Sequence, residues 1–233
     1  MKKKLWIGLI IIEAIFLILI EIGTSQSYYL FTGIVCTSAS LVNFLFVLYM
    51  FLTRKEKKDT LLYLALFCPL FADIFFGVTR RALLQFNGEQ LHIDIMNYMG
   101  TSFFILMQLI LMFYIERKKL LHVLKGGVVM VGIGVALLIS LKKPLHYLYV
   151  VYLIIFLFNL GELLYYYLKE KEGNTLLFFF ALLSIFISDI FIGLSTLLKQ
   201  DVLVMISLEM IWPLYLFGLC LFDRLLLSKQ KEL

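Results

Sequence analysis

Two aspartates carry the strongest chemical signal in the chain. Asp73 lies in Pro69-Leu-Phe-Ala-Asp73-Ile-Phe-Phe-Gly77 and Asp189 in Ile185-Phe-Ile-Ser-Asp189-Ile-Phe-Ile-Gly193, so each sits in an apolar run with a glycine one helical turn later. A carboxyl group near mid-membrane costs about 2.5–3.5 kcal/mol to insert on translocon scales. The glycine shares the aspartate's helix face and permits close approach of a second helix. Two carboxyls meeting in one low-dielectric pocket cannot both ionise readily, which yields one acid and one base from identical side chains. A structural pair of interhelical hydrogen bonds would use the same residues.

Other polar residues fall at helical spacing. Asp94, Asn97, Thr101, Phe104 and Gln108 form a stripe expected to face a bundle interior. Asn43 and Asn159 form a deeper polar group, with Glu162 and Tyr166 on the face of the latter. Glu209 is a candidate third acid near the depth of the aspartates, or an outer-mouth residue; Pro213, four residues later, frees its carbonyl. Pro69 frees the carbonyl of Ala65 in the same way and predicts a bend before Asp73. Glu13 stands mid-run with no assigned partner. Cys36, Cys68 and Cys220 lie inside apolar runs and read as packing residues. No His-x-x-x-His, Cys-x-x-Cys, Gly-rich nucleotide loop or Gly-x-Ser-x-Gly elbow occurs, so neither metal nor cofactor is expected. No lysine lies mid-run, which disfavours a Schiff base.

The elements that must position these residues follow from composition. The chain has 233 residues, 62% hydrophobic and 16% charged, with mean hydropathy +0.97. A soluble domain is about half apolar and about a quarter charged, so one water-facing core could not hide these side chains. A net charge of +5 would raise the question of nucleic acid in a soluble protein, but here the charges cluster between apolar runs as topology signals.

A membrane helix needs roughly 20 apolar residues. Eight runs qualify, at about 5–22, 28–52, 61–78, 95–115, 121–141, 145–168, 175–198 and 202–227. The fifth is interrupted at its start by Lys125. The first follows Met1-Lys2-Lys3-Lys4, as a signal peptide would, but it contains Glu13 and Glu21 and lacks a small-x-small site. It is expected to be a retained helix. With the N-terminus inside, 16 of the 21 basic residues fall on the cytoplasmic side and 5 outside. Eight spans with both termini cytoplasmic satisfy that asymmetry.

The chain also repeats itself. Residues 41–79 against 157–195 share 14 identities in 39 positions, among them Asn43 with Asn159, Tyr49 with Tyr165 and Asp73-Ile-Phe with Asp189-Ile-Phe. At a shift of 107, Glu116-Arg117 meets Asp223-Arg224. The expected fold is therefore an all-α polytopic bundle, a single transmembrane domain whose repeat halves are roughly 1–120 and 121–233. Four helices per half make the repeat parallel. At 1.5 Å per residue, both aspartates fall in the outer half of the hydrocarbon, within about 5 Å of the same depth.

In this pattern the sequence resembles the YhhN (lysoplasmalogenase-like) family of eight-helix membrane proteins. Leu64-Ala-Leu-Phe-Cys-Pro-Leu-Phe-Ala-Asp73 is similar to its third-helix motif, and Ala181-Leu-Leu-Ser-Ile-Phe-Ile-Ser-Asp189 to its seventh. Gly100, Phe104 and Gln108 match a Gly-x-x-x-Phe-x-x-x-His spacing with Gln in place of His, and Trp212-Pro-Leu-Tyr215 looks like the last-helix Tyr motif. Ala72 replaces a Gly before the first Asp. The family's Lys-Pro near helix two is missing, with Asn43 roughly where that Lys would stand. The resemblance implies hydrolysis of the vinyl ether bond of a lysophospholipid substrate, lysoplasmalogen, at the cell membrane. Asp73 and Asp189 would be catalytic, with Gln108, Glu209, Tyr215, Asn43, Asn159, Glu162 and Thr101 supporting. A proton-coupled small-solute transporter and a lipid-binding or sensing module use the same features.

Overall fold

The computed structural model describes residues 2–26, 28–53, 59–86, 89–115, 144–197 and 201–229. The described chain is helical throughout: α1 (Lys2–Ser25), α2 (Tyr29–Thr53), α3 (Thr60–Asp73), a π-helix (Ile74–Thr79), α4 (Arg80–Gln85), α5 (Gln90–Ile115), α6 (Pro144–Glu170), α7 (Gly173–Leu197) and α8 (Asp201–Lys229). Seven helical segments among the described residues are long and apolar enough to cross a membrane, with α3, the π-helix and α4 making one of them. The chain is a multi-pass membrane protein. The expected fifth span, 121–141, lies outside the described residues.

The surface chemistry agrees with a lipid solvent. Ile11, Ile15, Ile18 and Ile22 make an exposed stripe along α1, each more than half accessible. Trp6, Leu9, Glu13 and Ile20 lie on the other face, where Leu9, Glu13 and Ile20 are buried. A stripe of bare isoleucines is stable only where hydrocarbon replaces water.

The residues group into two compact units, Met1–Phe46 with Leu163–Leu233, and Val47–Glu162, and the divisions fall within α2 and α6. In the first unit α8 is the central helix. It packs on α1 and most extensively on α7, and it is buried on nearly all sides from Gly218 to Leu227 except at Arg224. Helices in lipid gain little from apolar burial against each other, so small residues and interhelical hydrogen bonds hold them. Gly218 is such a contact: a Cβ there would lie 2.6 Å from Ile185 Cγ1 and 2.9 Å from the Ala181 carbonyl oxygen. Ser184 Oγ donates to the Leu214 carbonyl at 2.7 Å, and Ser188 Oγ to the Ile211 carbonyl at 2.9 Å. The two serines, one turn apart on α7, thus clasp α8 on either side of Pro213.

In the second unit α3 and its π-helical continuation pack against α5. Phe103 stacks on Phe71 and Phe75 at 5.3 and 5.8 Å, and Phe104 on Phe76 at 6.1 Å. The Phe76 ring covers Gly100, where a Cβ would come within 2.5 Å of it. The chain passes Pro69 in α-helical form. The change of helical form comes five residues later, at Ile74, and is a widening of the turn to i→i+5 bonding, as in the Arg80 N–H to Phe75 carbonyl bond.

Candidate functional site

Asp73 is the last residue of α3, and the π-helix begins immediately after it. Its side chain is 4% exposed, between the buried Ala72 and a segment whose Gly77 is also buried. A π-turn inserts one residue into the helix, so it rotates everything that follows relative to the aspartate; such turns recur at functional sites. Thr79 Oγ1 donates to the Ile74 carbonyl at 3.0 Å and satisfies an acceptor within the widened turn. Asp189 belongs to the first unit, half-buried on α7, directly after the Ser188 that bonds α8.

The structure joins Gln108 and Asn159. Asn159 Nδ2 donates to the Gln108 backbone carbonyl and to Gln108 Oε1, both at 2.9 Å, and both residues are 0% exposed. The orientation of both amides follows: the nitrogen of Asn159 must face a backbone carbonyl, so the oxygen of Gln108 must face that nitrogen. Thr101, 2% exposed, donates to the Asn97 carbonyl one turn back at 2.8 Å, so its hydroxyl is used within α5. Phe104 lies between them and meets Tyr152 of α6 at 6.2 Å. Glu162 is half-buried on α6, just under one turn beyond Asn159. Tyr215 is buried on α8, its ring edge-on to Trp212 at 5.7 Å. Glu209 lies on α8, and its side chain is outside the described residues.

A further polar cluster, in the first unit, was not assembled from the sequence. Asn43 Nδ2 donates to Glu13 Oε1, joining α2 to α1, and also to the Ala39 carbonyl at 3.2 Å. Glu13 is 3% exposed and Asn43 5%. Asp223, 1% exposed, and the buried Cys220 lie on α8, the helix that packs on α1. At the near end of the α1–α8 contact Trp6 Nε1 donates to the Cys220 carbonyl at 3.4 Å, and the Arg224 guanidinium lies 5.0 Å over the Trp6 ring. A signal for the first bond was present. Glu13 precedes the α1–α2 turn by nearly as many residues as Asn43 follows it, so an antiparallel pair brings them to within about 3 Å of one depth. In the sequence Asp223 stands only as the repeat match of Glu116, which says nothing of its neighbours.

Among the described residues no group of three or more His, Cys, Asp or Glu side chains is placed to hold a metal ion. Comparisons of the chain with protein-family models, with curated proteins and with solved structures give no match.

Proposed function

We propose that the protein is an intramembrane hydrolase that cleaves the vinyl ether bond of a lysoplasmalogen with an aspartate acid–base pair, Asp73 and Asp189. The observation that carries this reading is the Asp73 carboxyl, 4% exposed in an apolar bundle at the point where α3 becomes π-helical. Such a group is costly to insert and is retained where chemistry or a partner needs it. The sequence places Asp189 at the equivalent position 116 residues later. The reading includes eight spans in two parallel four-helix repeats, both termini cytoplasmic, in the cell membrane. Within each unit one pair of equivalent helices dominates the packing, α3 with α5 in one and α7 with α8 in the other.

The chemistry balances with these groups. A neutral carboxylic acid protonates the vinyl carbon, and the resulting oxocarbenium ion is stabilised by the second carboxylate. That carboxylate takes a proton from the attacking water, and the hemiacetal collapses to an aldehyde and a glycerophospho-base. Gln108 stands where the resembled family has His; its side chain is held by Asn159, a positioning role.

The test is aldehyde release from a lysoplasmalogen by purified protein in lipid nanodiscs. Asp73→Asn and Asp189→Asn should each abolish turnover while retaining the wild-type melting profile. A folded Asp73→Asn variant with wild-type turnover overturns the mechanism.

A further inference from the structure

Three buried side-chain oxygens of the first unit have no donor among the described residues. Glu13 Oε2, Asn43 Oδ1 and Asp223 Oδ2 are each buried without a hydrogen-bond partner, on residues 3%, 5% and 1% exposed. All three atoms are acceptors, so the cluster lacks hydrogens rather than lone pairs. Two unneutralised carboxylates at such burial are untenable in hydrocarbon; they must bind a cation or a proton.

We propose that Glu13 and Asn43 form a buried proton-binding site, separate in its residues from the aspartate pair, whose ligand is a hydrogen ion. One proton on Glu13 Oε2 turns the existing contact into a two-point acid–amide pair. Asn43 Nδ2 already donates to Glu13 Oε1, and the Oε2 hydroxyl then donates to Asn43 Oδ1. One hydrogen thereby satisfies two of the three orphaned oxygens.

Among the described residues, none of the groups named around the site is a competing cation. α8 presents Cys220 and Asp223. α2 presents Asn43, with the buried Cys36 two turns earlier on the same face. Trp6 of α1 spends its only N–H on the Cys220 carbonyl. Arg224, the nearest guanidinium in the sequence, is exposed and lies over the Trp6 ring. A proton needs no coordination shell, whereas a metal ion needs a set of ligands that the described residues do not assemble.

Infrared difference spectroscopy of the full-length protein in nanodiscs, taken from acid to alkaline pH, tests the proposal. The wild type should show a protonated-carboxyl C=O component that is lost on alkalinisation and is retained in Asp73→Asn and Asp189→Asn, and Glu13→Gln should lack that component. Glutamine keeps both a donor and an acceptor for Asn43, so this variant should fold. Asn43→Ala, the second variant, removes the Oδ1 acceptor of the acid hydroxyl and should shift the midpoint at which the component is lost. The proposal is overturned if Glu13→Gln retains that component, or if Asn43→Ala leaves its midpoint unchanged. Saturable binding of sodium or potassium that disappears in Glu13→Gln would also overturn it, by making a metal ion the ligand.

Discussion

Removing the Asn159 amide should loosen the second unit by an amount that can be worked from its bonds. Asn159 Nδ2 makes two bonds at 2.9 Å, one to the backbone carbonyl and one to the side-chain oxygen of Gln108, with both residues fully enclosed. Interhelical hydrogen bonds between membrane helices average about 0.6 kcal/mol, with a maximum of about 1.7. Two such bonds give roughly 1.2 kcal/mol. Leaving the Gln108 acceptors buried and unpaired raises the cost of Asn159→Ala to about 1–3 kcal/mol. Gln108→Ala removes the Oε1 acceptor together with the buried, unpaired Nε2 and leaves the carbonyl bond in place. A double-mutant cycle on these two positions therefore isolates one side-chain bond, and the coupling should be about 0.6 kcal/mol. Asn159→Asp should be worse than alanine, because it replaces both donated hydrogens with a carboxylate facing two oxygens. Its cost is that of an uncompensated buried charge, about 3–5 kcal/mol. Reversible unfolding in bicelles, followed by steric trapping, measures all four species. A coupling indistinguishable from zero, or an Asn159→Asp variant as stable as the wild type, would refute this account of the α5–α6 contact.

Two further outcomes test the packing of the first unit. Gly218→Ala should destabilise by about 1–3 kcal/mol, because its Cβ would press on the Ala181 carbonyl at 2.9 Å and backbone cannot swing aside. Gly161→Ala, with nothing within 4 Å, is the control and should be neutral or stabilising by up to about 1 kcal/mol; equal effects at the two sites would remove the close-approach explanation. Ser188→Ala should lose about 0.6–1.7 kcal/mol with its bond to the Ile211 carbonyl, and a thermal melt unchanged from wild type would show that the clasp on α8 carries no stability.

The membrane class was legible in the residues because length and apolarity alone decide whether a helix can cross hydrocarbon. The seven described spans fall within a few residues of seven of the sequence runs. The polar stripe on α5 was legible for a related reason: residues at helical spacing share a face wherever the helix lies, and Thr101, Phe104 and Gln108 are all buried. The π-turn of the third span was not anticipated; the sequence pointed to Pro69 instead. Pro69 lacks one N–H, yet the helix carries it. The departure at Ile74 comes where Phe71, Phe75 and Phe76 engage Phe103 and Phe104, and where Phe76 covers Gly100. Nothing within the third span alone specifies those partners.

Which residues meet was a different kind of question. Asn43 and Asn159 are equivalent by sequence repeat, yet one bonds the acid Glu13 on α1 and the other the amide Gln108 on α5. Asp223 is the repeat match of Glu116 in the sequence, yet the chain encloses it at 1% exposure while Arg224 beside it stays in the open. Spacing along a chain determines the face a residue occupies and its depth in the bilayer, because helix rise and pitch are constants of the backbone. It leaves open which neighbour that face meets. Lipid is as apolar as leucine, so the choice among helix partners rests on a few close approaches and hydrogen bonds, and these exist only once the helices have been brought together.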